Sequence, residues 1–501
     1  MARDFDLVVI GGGINGAGIA RDASGRGLRV ALLERGDFGG GTSSASTKLI
    51  HGGLRYLEHY EFRLVAESLR ERAVLARLAP HLIRPLRFVL PHVPGLRPAW
   101  MLRAGLWLYD RLGGRSAFPV SRAVALDGTP EGAPLRPGLR RGFAYWDAQV
   151  DDARLVIANL RSAAALGAAL FPRTAFLRAR RDAECWRIEA LDADGAPLQL
   201  RSRTLINAGG PWVEEIARNI EGRSGGGTRV QLVKGSHIVV PRVHAGDHAY
   251  LLQNDDRRIV FILPFERDYS LIGTTDVLVD TPAAGARIEA HEIRYLLDAV
   301  NRYLAVPLRA ERIVWTYAGV RPLYDDGSAD PSATTRDYHL ALDAARGLPL
   351  LTVYGGKITT YRRLAEQALE KLAPWLAVRR GAWTAASPLP GADGSFDALR
   401  ARYPALPEAL LRRLYARHGG EAEQVLGDAR HLEDLGVHFG ADLYEREVRY
   451  FVAHEWACEA EDVLWRRTKA GLHLDAAQRV RFADWFGAQR RRAVPAKGRV
   501  A

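Results

Sequence analysis

The run Gly11-Gly12-Gly13-Ile14-Asn15-Gly16 carries the clearest chemical instruction in the chain. It has the spacing G-x-G-x-x-G and lies between an apolar strand, LVVI, and a helical stretch. In that setting the first glycine permits a tight turn, the second lets backbone approach a pyrophosphate, and the third lets helix and strand pack closely. The helix N-terminus adds unpaired N–H groups and the positive end of its dipole, both suited to phosphate oxygens. Glu34 ends the next strand, where a carboxylate would take a ribose hydroxyl. The loop reads as a dinucleotide site and does not by itself separate NAD from FAD. A second strand–turn–helix unit, PLLTVYGGKITTYRRLAEQALEKL, places Gly356, Lys357 and Thr359 at another helix start facing an anion. Arg55 in HGGLRYL and Arg321 in GVRPL sit among glycine and apolar residues instead of on a polar helix face. A planar, permanently charged guanidinium in such a setting suits a partly buried anion. His51 and His237 could accept a proton near neutral pH, although a histidine beside apolar neighbours also serves as hydrogen-bonded packing.

Positioning these groups requires an α/β scaffold. Residues 5–35 read as a βαβ unit, and residues 61–79 as a helix with Leu64, Leu69, Val74, Leu75 and Leu78 largely on one face. Residues 80–146 are rich in Pro and Gly, and Asp151 and Asp152 suit the start of a helix running to about Leu166. TLINAGGPW is a strand that ends in a glycine turn, at Ala208 and Gly209. Short β-rich runs between 228 and 280 predict an antiparallel sheet, residues 381–395 a linker, and the remainder a helical region. A length of 501 residues suggests two or three structural units, and 48% apolar with 26% charged residues is ordinary for a globular protein. Cys185 and Cys458 are the only cysteines, which excludes a disulfide framework or a cysteine metal site; no metal is expected, and a reducing cytosol is the natural setting. The N-terminus enters a strand at once, leaving no room for a leader, and no apolar run is long enough to span a bilayer. The net charge of +12 attracts phosphates, nucleic acid or anionic lipid. No nucleic-acid module is present, so nucleic acid is not an expected partner.

Beyond the glycine loop, RGDFGGGTSSASTKLIHGGLRYLEHYEFRLV, TLINAGGPWV, VKGSHIVVPRVH, FILPFERDYSLIGTTDV, VWTYAGVRPLYDD, TTRDY and VYGGKITTYRRLAEQALEKL follow one another in a familiar order. These blocks, with HEWACEAEDVLWRRTKAGL near the C-terminus, resemble the aerobic glycerol-3-phosphate dehydrogenases, within the D-amino-acid-oxidase-like flavoenzymes. The resemblance implies a Rossmann-type FAD-binding domain (1–80, 147–215 and 335–380) interleaved with an antiparallel-sheet substrate region (81–146 and 216–334). A C-terminal helical domain (396–501) follows the linker. It implies non-covalent FAD, oxidation of sn-glycerol 3-phosphate to dihydroxyacetone phosphate, and reoxidation by membrane quinone. An oxidase using oxygen is the alternative. Gly11, Gly13, Ile14, Asn15, Gly16, Glu34, Arg35, Thr42, Ser43, Ser44, Lys48, Leu49, His51, Ala208, Gly209, Gly356, Lys357 and Thr359 then become flavin-contact candidates. Arg55, Tyr56, His237, Thr274, Thr275, Arg321 and Arg336 become substrate candidates, with His51, Arg321 and Lys357 at the chemistry and the base unassigned. A quinone acceptor implies a cytoplasmic protein lying on the inner face of the membrane. The basic–aromatic stretch 80–115, with Arg84, Arg87, Arg97, Arg103, Arg111, Arg115, Trp100 and Trp107, is the expected contact with anionic lipid. A homodimer stays open as a further partner.

Overall fold

The computed structural model describes residues 3–114, 117–221, 230–256, 258–283, 285–324 and 337–493. The chain forms two compact units that meet in sequence between Leu389 and Pro390, inside the 381–395 segment. The residues just before this boundary pack on the first unit. Trp383 Nε1 donates to the Asp22 carbonyl at 3.1 Å, and the Leu389 amide donates to the Leu78 carbonyl at 2.8 Å.

The first unit holds two sheets. In the eight-stranded sheet, Leu350–Tyr354, Pro197–Asn207, Arg3–Ile10, Val30–Leu33 and Ala169–Phe171 are neighbours in that order and run parallel. Leu7, Val8, Val9 and Ile10 are all buried, because a central parallel strand is covered on both faces. The helix Ile14–Gly25 follows, packed against the helices Asp152–Ala165 and Tyr361–Leu372. Asp151 caps the former of these by accepting the Arg154 amide. Since Ile10 pairs with Asn207, and Asn207 with Thr352, the turns after these three strands gather at one edge of the sheet. That edge is where ligands bind in open parallel sheets.

The ten-stranded sheet is antiparallel except where Ala249–Gln253 runs parallel to Ile83–Pro91. The Pro- and Gly-rich stretch 80–146 thus contributes regular structure that its composition concealed: the strands Ile83–Pro91 and Arg141–Val150, and the helix Ala99–Leu112. The long pairing of Val230–Pro241 with Trp315–Tyr324 sets Val233 opposite Arg321 and His237 opposite Tyr317. A short strand, Leu49–Ile50, joins the same sheet, with Ile50 opposite Ala148. The chain therefore passes from the glycine-rich edge of the first sheet to the second within a few residues of Lys48.

The second unit is mainly helical, with Glu408–His418, Glu445–His454 and Ala476–Ala493 its longest helices. Leu411, Leu414, Phe451 and Phe482 lie in its core. Inside it the Glu447 carboxylate takes His418 at 2.9 Å and also pairs with Arg417. Burial alone would raise its pKa, but these cations bring it down to about 2.

Candidate active site

The glycine loop has the tightness its spacing requires. Gly11 has φ of +108°, and a Cβ there would lie 2.5 Å from the Ala208 carbonyl oxygen. A Cβ on Gly16 would lie 1.9 Å from the Gly11 carbonyl, so neither position accepts a side chain. The Ile14 amide donates to Ser43 Oγ at 2.9 Å, which ties the helix start to the Thr42–Ser44 turn. Asn15 Nδ2 donates to the Gly355 carbonyl at 3.1 Å, joining the two glycine turns, while its Oδ1 is buried without a hydrogen-bond partner. A buried acceptor with nothing to accept costs about 1–3 kcal/mol unless a bound group supplies the donor.

Glu34 accepts the Gly12 amide at 2.7 Å on one oxygen and the Gly36 amide at 2.8 Å on the other. Each carboxylate oxygen retains a second acceptor site, so a ribose hydroxyl is still accommodated. Burial raises the pKa of this acid while the two amides oppose the shift. Arg35 stacks on Trp212, 4.2 Å from the ring centroid, directly after Gly209 and Gly210. Thr42 Oγ1 donates to the Val320 carbonyl at 2.5 Å and Ser44 Oγ to Gly41 at 3.4 Å. Thr359 Oγ1 meets the His51 amide at 3.3 Å. Lys48 behaves differently from a cofactor contact: its buried ammonium is engaged by Asp152 at 2.7 Å and by the Ser44 carbonyl at 3.0 Å. The convergent glycines, two helix N-termini, the bare Asn15 oxygen and Glu34 together fit a flavin dinucleotide.

A cavity of about 160 Å³ lies next to this region, lined by Leu49, His51, Arg55, Tyr56, Thr274 and Arg321 from among the expected residues. Thr275 and His237 do not line it. Thr275 Oγ1 accepts the Ser236 amide at 3.0 Å and donates to Glu292 at 2.7 Å, within a buried network. His237 is stacked on Tyr317 and bonded through Nε2 to Thr47 Oγ1 at 2.9 Å, so it reaches the cavity only through Thr47. Burial, then Arg321 and Lys48, hold its pKa well below 6.5. Lys357 stands 4.0 Å from the centroid of the Tyr56 ring, a cation–π contact that places its charge beside a cavity wall. Arg336 lies outside the described residues.

Arg321 pairs with Asp276 and donates to Thr274 Oγ1 at 3.1 Å, and a Cβ on Gly235 would lie 2.3 Å from its Nη2. That glycine leaves room for the guanidinium to lie across the neighbouring strand. Arg55 is half-buried in the cavity wall and, among the described residues, makes no hydrogen bond or ion pair. His51 is pushed down to about 4, chiefly by burial; Asp147 acts the other way, and Lys357 and Arg72 reinforce the shift. Its imidazole is therefore neutral at physiological pH and retains a lone pair.

Sequence reading missed Thr47, Asp147, His59 and the apolar wall formed by Phe88, Tyr145, Leu251, Ile259 and Phe261. Asp147 did leave one trace, as a lone acid in the otherwise uncharged stretch GFAYWDAQV. The phenyl and aliphatic residues left none, because they look like any other sheet interior.

A profile of FAD dependent oxidoreductases matches residues 6–362, and one for the C-terminal domain of alpha-glycerophosphate oxidase matches residues 382–483. The D-erythritol 1-phosphate dehydrogenase of Brucella abortus is 50% identical over 96% of this chain and 97% of its own length. The aerobic glycerol-3-phosphate dehydrogenase of Escherichia coli is likewise 50% identical, over 96% and 97%. Among solved structures, a glycerol-3-phosphate dehydrogenase from Bacillus halodurans complexed with FAD is similar with a TM-score of 0.75 and 26% identity, covering 100% of this chain and 97% of that one. With both profiles falling in chain order on the cofactor-binding unit and the helical unit, the chain belongs to the FAD-dependent oxidoreductases, in the family of aerobic glycerol-3-phosphate dehydrogenases.

Proposed function

We propose that this enzyme oxidises sn-glycerol 3-phosphate to dihydroxyacetone phosphate, with membrane quinone as the final acceptor. The observation that carries the reading is Arg55: a guanidinium in the cavity wall that, among the described residues, has no carboxylate partner. A cation in that position calls for an anionic ligand, and a phosphate monoester matches its fork. Arg321 supplies a second cation whose charge Asp276 partly offsets, which suits holding one dianion without trapping the product.

FAD, bound non-covalently by the Gly11–Gly16 loop, Asn15, Glu34, the Thr42–Ser44 turn and the Gly355–Gly356 turn, supplies the hydride acceptor. The protein's task is to hold the secondary alcohol and remove its proton. Thr274 and Tyr56 offer hydroxyls to the polyol, while the neutral His51 imidazole accepts the alcohol proton as the C–H bond breaks. The apolar wall excludes water, which strengthens each of these contacts. In this division of labour the parallel sheet serves the cofactor and the antiparallel sheet the substrate.

The helix Ala99–Leu112 is the proposed membrane contact. Leu102, Leu106 and Tyr109 face inward, while Trp100 at 73% and Trp107 at 55% remain exposed together with Arg103 and Arg111. No helix among the described residues is long and apolar enough to cross a membrane, so attachment would be through this face. Arg87 and Arg97 contribute less than their sequence suggests, because Glu131 and Glu58 pair with them.

The test is anaerobic bleaching of the bound flavin. Glycerol 3-phosphate should bleach it and glycerol should not; acid precipitation should release the flavin from the chain. D-Erythritol 1-phosphate, the substrate in the name of the Brucella relative, is the competing phosphate and should give a lower kcat/KM. No bleaching by glycerol 3-phosphate would remove the assignment. Reoxidation by a quinone should outpace that by oxygen, and stoichiometric peroxide at an equal rate would make the enzyme an oxidase.

A further inference from the structure

Behind His51 lies a polar cluster that the substrate reading does not use. The buried Tyr109 hydroxyl donates to both oxygens of Asp147, at 2.8 and 2.9 Å, and accepts the Gly52 amide at 2.8 Å. Asp147 also accepts Arg72 Nη1 at 2.7 Å and sits 3.3 Å from the same Gly52 amide. The short strand Leu49–Ile50 runs antiparallel to Arg141–Val150, and continuing its register past Ile50 and Ala148 brings His51 abreast of Asp147. Close packing fixes the loop further. A Cβ on Gly52 would lie 2.6 Å from the Tyr109 hydroxyl and 2.5 Å from Leu69, so only glycine fits there.

We propose that Tyr109 and Asp147 are a positioning pair for the proton-accepting residue: the tyrosine hydroxyl, locked on the carboxylate, holds the Gly52 amide and thereby sets the placement of the His51 imidazole. The inference rests on the reading of His51 as the proton acceptor. Tyr109 belongs to the helix Ala99–Leu112 and Asp147 to the second sheet, so the pair fixes the loop against both. Burial, followed by the charge of Asp147, keeps the Tyr109 phenol well above its ordinary pKa, and its proton stays available for the bond at any working pH. Arg72 pairs with Asp147 at 2.7 Å, which holds the carboxylate in place between the guanidinium and the tyrosine hydroxyl. The charged groups acting on His51 are Asp147, Lys357 and Arg72, of which Asp147 alone favours the protonated ring.

The decisive variant is Tyr109→Phe, which keeps the ring and removes only the hydroxyl. Proton transfer depends steeply on placement, whereas attraction between a phosphate and an arginine falls only slowly with distance. Turnover per bound flavin should therefore fall roughly 10- to 100-fold, with KM for glycerol 3-phosphate rising by less than about threefold. Asp147→Asn should move the acid limb of the kcat profile to lower pH, since the imidazolium loses its one stabilising anion. A purely structural role would lower the yield of flavoprotein and leave both readouts per flavin unchanged. Parental turnover in Tyr109→Phe overturns the pair even if Asp147→Asn fails to fold. His51→Gln separates the layers. If it turns over normally the underlying reading fails, whereas an inactive His51→Gln beside a parental Tyr109→Phe refutes the positioning pair alone.

Discussion

Removing Arg55 and removing Arg321 should have different consequences, because Arg321 pairs with Asp276 whereas Arg55 has no protein partner among the described residues. In Arg55→Ala no protein group is stranded, since Arg55 makes no hydrogen bond or ion pair among the described residues. Stability should stay within about 0.5 kcal/mol of the parent, as for a residue outside any network. The missing charge-assisted contact to phosphate should cost about 2–4 kcal/mol of transition-state binding, or roughly 30- to 1000-fold in kcat/KM. Arg321→Ala should lose activity on a similar scale and also destabilise the fold by about 1–3 kcal/mol, because it removes the ion pair with the mostly buried Asp276 and the hydrogen bond to Thr274. The assay is kcat/KM with a soluble dye for glycerol 3-phosphate against glycerol, with a urea midpoint on each flavoprotein. Arg55→Ala should shrink the preference for the phosphorylated substrate. A preference equal to the parent's, or an equal loss on both substrates, would mean that Arg55 does not bind phosphate.

Acid should destabilise the fold through its buried histidines. Burial holds His51, His244 and His248 down to about 4, and His237 well below its ordinary value. The unfolded chain protonates these rings near pH 6.5 and the folded chain does not, so unfolding takes up protons and stability is lost as pH falls from about 6.5 to 4. A urea midpoint that stays flat across that window would contradict the burial of these rings. At the proposed membrane face, Arg103→Gln with Arg111→Gln should weaken binding to anionic vesicles by about 1 kcal/mol per charge while dye-linked turnover persists. Trp100→Ala with Trp107→Ala should remove the salt-resistant part of binding, and parental vesicle binding in both double variants would place the contact elsewhere.

The glycine loops were legible because their geometry is written in residue type. Gly11 with its positive φ, and Gly16 pressed on the Gly11 carbonyl, exclude every side chain, so the pattern survives as letters. Arg55 and Arg321 were legible for a related reason, as charges among residues that avoid water. What stayed hidden depends on pairings between distant segments. Nothing near Lys48 announces Asp152, and nothing near Arg87 or Arg97 announces Glu131 or Glu58. Thr274 and Asp276 line the cavity while Thr275 between them does not, an alternation expected of extended backbone but one whose phase the sequence leaves open. Residues 80–146 misled by composition, since Pro and Gly at the ends of strands and helices said little about the segments between them.

The segment from Thr42 to Tyr56 links the two proposed sites. It begins at the glycine edge of the parallel sheet, where Ser43 takes the Ile14 amide, and ends in the cavity wall with His51, Arg55 and Tyr56. Halfway along, Lys48 has φ of +59°, a conformation that a lysine rarely adopts without support. Support comes from Asp152 at the first turn of the helix Asp152–Ala165, which takes the Lys48 ammonium together with the Ser46 amide and hydroxyl. A buried ion pair adds little net stability over an apolar pair, but it tolerates few alternative geometries. Its contribution is therefore register: it fixes where the chain leaves the first sheet and enters the second as Leu49–Ile50. On the proposed reading, hydride acceptor and proton acceptor are thus aligned by one short stretch of chain.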